Sequence, residues 1–232
     1  MGSNTHFFYY IFCLYHFYFV ILHELYDNMS VRDYDEHCER IVSQFLDKHF
    51  YPNLRSIQTY ERISTKDLQV KGVDTIITCV DGVHFIDEKA AVKYINLETF
   101  ALELSFFNRF GKLCTGWFLD KTKINDYFLF VWINKLNHEK IVDISSIKDV
   151  DVALVKKERI IDYLTTLGWT LDKLERKIHQ IREQTNVNMG NIKQYGCKFV
   201  YSQQLIEKPI NILLPKQKYI ELADIHQRII IY

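Results

Sequence analysis

Residues 70–93, VKGVDTIITCVDGVHFIDEKAAVK, hold two runs rich in β-branched residues on either side of Asp81-Gly82. An Asp-Gly pair between two such runs is the strongest short-range sign of a two-residue hairpin turn. Pairing Val80 with Val83 sets a register in which Asp74 lies opposite Lys89 and Ile76 opposite Asp87. Side chains alternate faces along a strand, so Asp74, Asp87 and Lys89 share one face, while Glu88 falls on the other with Ile77, Ile86 and Ala90. Opposed Cβ atoms stand about 5 Å apart and diagonal ones about 7–8 Å, so two carboxylates and an ammonium converge on one patch. The second carboxylate repels the first unless a cation sits between them, and clustered carboxylates with room for water are how proteins hold Mg2+. The plainer alternative is a surface hairpin with one weakly stabilising cross-strand Asp–Lys pair.

This arrangement resembles the PD-(D/E)XK nuclease superfamily, the restriction-endonuclease-like fold, in which an Asp ends one strand and Asp/Glu-x-Lys follows on the next strand of a hairpin. Asp74 takes the first place here and Asp87-Glu88-Lys89 the second, with Val73 where the family usually carries Pro or another small or apolar residue. The resemblance covers residues 34–132. It implies an α/β (α+β) fold, a restriction-endonuclease-like mixed central β-sheet flanked by helices. It also implies a metal-dependent DNA endonuclease of an uncharacterised phage or mobile-element type. In that reading Asp74 and Asp87 hold Mg2+ (or Mn2+), and Lys89 orients or deprotonates the attacking water or offsets charge on the phosphate. Family members often draw a further Glu from the helix ahead of the hairpin, a place Glu39 can fill; a solvated helix Glu is the other reading. Glu103, amid the apolar alternation of residues 99–107, belongs either to a sheet rim or to the same patch. A looser likeness to small phage proteins of this type lies in the GWF, DKTK and DYF triplets and tetrad of residues 116–128.

The chain's 232 residues suffice for one sizeable α/β domain or one domain with a small appendage. With 3 Pro and 8 Gly there is little material for linkers. Formal net charge is zero, which mildly disfavours nucleic acid but leaves room for a local basic surface. Lys121 and Lys123, in the polar loop 120–126, suit phosphate contacts, although a charged hairpin tip explains them equally well. The 5 Cys are dispersed, without CxxC or Cys/His metal spacing, and read as reduced cytoplasmic thiols. No P-loop or GxGxxG occurs, so no nucleotide cofactor is expected. DNA is the expected partner, with RNA not excluded. A homodimer is common among enzymes that cut both strands, and nothing in the sequence demands one.

Residues 7–26, FFYYIFCLYHFYFVILHELY, are long and apolar enough for a membrane span. They lack the basic start and small-residue cleavage site of a signal peptide. The favoured reading is a misassigned start, with Met29-Ser30 opening the soluble sequence; a membrane anchor or a helix packed on the domain are the others.

Further along, residues 33–50 have helical periodicity, with Cys38, Ile41, Val42, Phe45 and His49 as one stripe, Asp33 or Asp35 as cap and Pro52 as the stop. Strands are expected at 57–63, 99–107 and 127–133, the last wholly apolar and so central, covered on both faces. Residues 152–183 read as two basic helices divided at Leu167-Gly168-Trp169. Strands at 198–205 and 210–214 and a final helix at 216–225 behind Pro215 complete the chain. The expected division is a hydrophobic segment 1–28, a nuclease core 29–150, and a helical and strand extension 151–232 packed on it. Two rivals to the nuclease are a catalytically inactive nucleic-acid-binding or protein-interaction module on the same fold, and a membrane-anchored protein organised by residues 7–26.

Overall fold

The computed structural model describes residues 31–183, 192–194 and 197–232; the apolar segment 7–26 lies outside them. The architecture is mixed α/β. Six strands form one mixed sheet in the order β1 (Ile57–Arg62), β2 (Thr75–Cys79), β3 (Gly82–Ala91), β6 (Tyr127–Leu136), β7 (Ile147–Lys156), β11 (Ile225–Ile230). The β3–β6 pair is parallel, and its neighbours are antiparallel. A second sheet runs β5 (Leu113–Thr115), β4 (Thr99–Phe107), β10 (Ile210–Pro215), β9 (Cys197–Tyr201), β8 (Ile192–Gln194).

The central strand β6 shows why these layers stack. Its residues are buried on both sides, as a wholly apolar strand requires. Phe128, Phe130 and Trp132 face one core, shared with Leu102 and Leu104 of β4 and Ile212 and Leu214 of β10. Helices α3 (Lys157–Thr166), α4 (Leu171–Glu183) and α5 (Lys216–Leu222) close that core through Ile160, Leu164, Leu174, Ile178 and Tyr219. Leu129, Val131 and Ile133 face the opposite core, covered by helix α1 (Val31–His49) through Cys38, Ile41, Val42, Phe45 and Leu46. Aromatic rings pack closely in the first core: Phe130 packs on Tyr219 at 4.4 Å and Phe100 on Phe130 at 4.9 Å between ring centroids.

Several expectations change. The stretch ahead of Asp74 is no strand: Lys66–Val70 is a short helix, α2, and Gly72, at φ +74°, turns the chain into β2. Helix α1 already begins at Val31, so Asp33 and Asp35 lie inside its first turns and not at its cap. Pro52 sits in a 3-10 turn, Tyr51–Asn53, that follows α1. Residues 147–156 form strand β7, where the sequence reading began a helix; the run VDVALV is buried on both faces, which favours a β-branched strand. The last helix ends at Leu222 and gives way to β11, which pairs with β7. The division at residue 150 falls within β7, and β10 and β11 pair with β4 and β7. Residues after 150 therefore supply strands to both sheets. Among the described residues no helix is long and apolar enough to cross a membrane.

Candidate functional site

The hairpin's register is shifted by two residues from the expected one. Cys79 pairs with Gly82 and Thr75 with Ile86, leaving Val80 and Asp81 at the tip. Gly82 follows the tip at φ +143°, a conformation that L side chains rarely adopt. In this register Asp74 lies beside Asp87 rather than Lys89: Asp74 N–H donates to the Ile86 carbonyl at 2.9 Å. A shift of two residues leaves every side chain on its own face. Asp74, Asp87 and Lys89 do lie on one side of the sheet.

Asp74 Oδ2 accepts the Glu88 N–H at 2.8 Å, tying one carboxylate to the backbone that carries the other. Asp87 is 2% exposed. Its Oδ1 accepts from Lys89 Nζ in a short ion pair. Its Oδ2 is buried and has no hydrogen-bond partner among the described residues. That oxygen rests on Gly72, where a Cβ would come within 3.2 Å of it. The Lys89 side chain is 24% exposed, with its ammonium 5.2 Å from the centre of the Trp117 ring.

Electrostatics couple these groups. Burial, then the neighbouring Asp87 carboxylate, push Asp74 from 3.8 to about 6, against the pull of Lys89 and the Glu88 N–H. Burial works to lower the Lys89 ammonium, and Asp87 and Asp74 outweigh it, so its pKa is raised and it stays charged. Glu39, on an exposed part of α1, has its carboxyl raised by desolvation; Lys89 opposes this and Asp74 adds to it. Glu103, half-buried on β4, is also raised by burial, against the Trp117 N–H it accepts and the Lys89 charge. Both glutamates are thus within electrostatic reach of Lys89, from opposite layers. Lys123 Nζ donates to the Val70 carbonyl at 2.8 Å, while Lys121 pairs with Glu175 at 3.4 Å.

Glu88 has a different task. It is 8% exposed on the α1 face and accepts from Ser43, Tyr51, Thr75 and both terminal nitrogens of Arg62 at 2.7–3.1 Å. Arg62 also grips Asp47 of α1. The middle residue of Asp87-Glu88-Lys89 therefore pins the strand to the helix and presents its two neighbours on the far side.

Sequence reasoning missed Gly72 and Trp117 as site residues, and read Asn125 and Lys157 only as part of a polar loop and a basic helix, not as neighbours of Asp87. Asn125 is buried, and its Oδ1 lies 3.5 Å from Lys157 Nζ and close over Gly72. Burial lowers the Lys157 ammonium, against the raising effect of Asp87 and Asp120. No local pattern marks Lys157; it is placed by the end of β7, an element not read as a strand. Comparison with family models, with curated proteins and with solved structures returns no match.

Proposed function

We propose that the chain is a metal-dependent nuclease that hydrolyses phosphodiester bonds in DNA on a restriction-endonuclease-like arrangement of the hairpin. The observation that carries this reading is the side-by-side placement of Asp74 and Asp87 with Asp87 Oδ2 buried and without a hydrogen-bond partner among the described residues. A buried, unsatisfied carboxylate oxygen is costly, and a hard cation such as Mg2+ or Mn2+ takes oxygen ligands of this kind. Asp74 and Asp87 would hold the ion, with Glu39 or Glu103, both under the influence of the Lys89 charge, as further candidate carboxylates. When bound, such an ion stabilises charge on the attacking and departing oxygens and lowers the pKa of bound water.

The chain's own groups do the rest. Asp74 is ionised at neutral pH, since its pKa is about 6. Lys89 is charged beside its two carboxylates, which makes it a donor that orients water or offsets charge on a phosphate oxygen. Lys157, less firmly protonated because it is buried, is a second cation on the Asp87 side. A reducing, cytoplasmic setting belongs to this reading and is supported by free thiols at Cys38, Cys79, Cys114 and Cys197.

The test is incubation of plasmid, linear and single-stranded DNA, with RNA alongside, in Mg2+ or Mn2+. Wild type is expected to cleave DNA, and Lys89→Ala to lose about 10²–10⁴-fold of that rate. Asp74→Ala and Asp87→Ala are expected to abolish it. Equal cleavage by wild type and Lys89→Ala overturns the reading. The Lys89–Asp87 ion pair favours a second reading, a catalytically inactive nucleic-acid-binding module, because it neutralises one carboxylate without a metal. That module binds DNA equally with and without Mg2+ and cleaves none.

A further inference from the structure

The other end of the same hairpin carries a second group of potential ligands, unrelated to the acidic patch. We propose that Cys79, Asp81 and His84 form a zinc site at the hairpin tip, with its fourth coordination position facing an adjoining cavity. One ligand atom from each lies within 4.8 Å of the other two. The donors are a thiol, an imidazole and a carboxylate, the set that Zn2+ takes in preference to the hard cations.

The register explains the convergence. Cys79 pairs with Gly82 and His84 with Ile77, so Cys79 and His84 are diagonal neighbours on one face of the ribbon. Asp81 sits in the turn between them, its Oδ1 3.3 Å from His84 Nε2. The Tyr127 ring meets the His84 ring edge-on at 5.4 Å. Tetrahedral zinc with these donors needs ligand atoms about 3.5 Å apart, from bond lengths of about 2.0–2.3 Å. Asp81, 74% exposed, has room to adjust toward that spacing, and its Oδ1 already stands 3.3 Å from His84 Nε2.

All three residues line a cavity of about 640 Å³, to which Lys156, Arg159 and Asp224 also contribute. Three protein ligands and one open position is the arrangement of a zinc site that accepts a further ligand. Binding converts the Cys79 thiol to thiolate and releases its proton to solvent; with Asp81 ionised and His84 neutral the site then carries no net charge. Five residues of strand, roughly 17 Å, separate Cys79 from Asp74, so the two sites act independently.

The test uses the full chain, stripped of metal under reducing conditions and titrated with Co2+, which reports thiolate ligation by a charge-transfer band in the near ultraviolet. One equivalent is expected to saturate that band and Zn2+ to displace it. The band is expected to vanish in Cys79→Ser and to need at least about tenfold more Co2+ in His84→Ala. Asp81→Asn, on an exposed turn where folding is not at stake, is expected to weaken it as well. Asp74→Asn is expected to leave it intact. Absence of a thiolate band in wild type, or a band that survives Cys79→Ser, overturns the proposal.

Discussion

Asp74 holds its proton well above the range of an ordinary aspartate. Its folded pKa, about 6, stands above the ordinary 3.8. The folded chain therefore holds a proton more firmly than the unfolded chain, and stability from this group is full below pH 3.8 and is lost as pH rises through about 6. At pH 7 without divalent metal the ionised Asp74 is a burden, so Asp74→Asn should stabilise the protein by on the order of 1–3 kcal/mol, after allowance for partial exposure. Urea unfolding of both forms at pH 7 and pH 4 checks it: the advantage should be present at the first and nearly gone at the second. The same protonation predicts that Mg2+ affinity falls as pH drops below about 6, measurable by calorimetric titration at pH 5 and 7. Gly72 offers a steric counterpart. Its φ is +74°, and a Cβ there meets Lys123 Cδ at 2.9 Å and Asp87 Oδ2 at 3.2 Å. Gly72→Ala should cost about 1–3 kcal/mol in thermal or urea unfolding and displace the very oxygen assigned to the metal.

At the scale of elements, the hairpin shows what a sequence reveals and what it hides. Alternation alone separates Asp87 and Lys89 from Glu88, and this survives the slip in register because faces repeat every two residues. The turn itself was misread: Asp81-Gly82 marks the region, but Gly82 serves at its first strand residue, and pairing at the tip depends on contacts beyond the turn. Cys79, Asp81 and His84 escaped notice for the same reason, since their convergence follows from register and not from any familiar spacing. Likewise the sequence offers Glu88 as a bare charge, while its meaning comes from Arg62, Tyr51, Ser43 and Thr75, which reach it from β1, a 3-10 turn, α1 and β2. Asp47 keeps its hold on Arg62, but Glu88→Ala leaves the Tyr51 and Thr75 hydroxyls without their acceptor, so it should destabilise by about 1–3 kcal/mol. Chemical denaturation would show it as a lower midpoint. An unchanged midpoint would mean that the α1–β3 junction is held by apolar packing alone.

Across the whole molecule, the helical and strand extension expected after residue 150 proves to be structural material for both sheets. The misreading has a physical source: β7 holds a buried apolar run at residues 152–155, for which helix and strand periodicities are hard to tell apart, and long-range pairings such as β4 with β10 leave no local trace. The consequence is testable. A chain of residues 29–150 keeps β6 but loses most of β7, all of β10 and β11, and helices α3, α4 and α5. Phe128, Phe130 and Trp132, fully buried in the intact protein, would lose much of their cover on that face. Burying a large apolar side chain contributes about 1.5–3 kcal/mol, and whole domains retain only about 5–15 kcal/mol. Losing the cover of three such rings, together with Leu102 and Leu104 across from them, should exhaust that margin. The fragment is thus expected to show no cooperative thermal transition by circular dichroism and to bind a hydrophobic dye, whereas residues 29–232 unfold in one step. A cooperatively folding 29–150 fragment would instead establish that the α1 core stands by itself, and that the second sheet is docked on a finished domain.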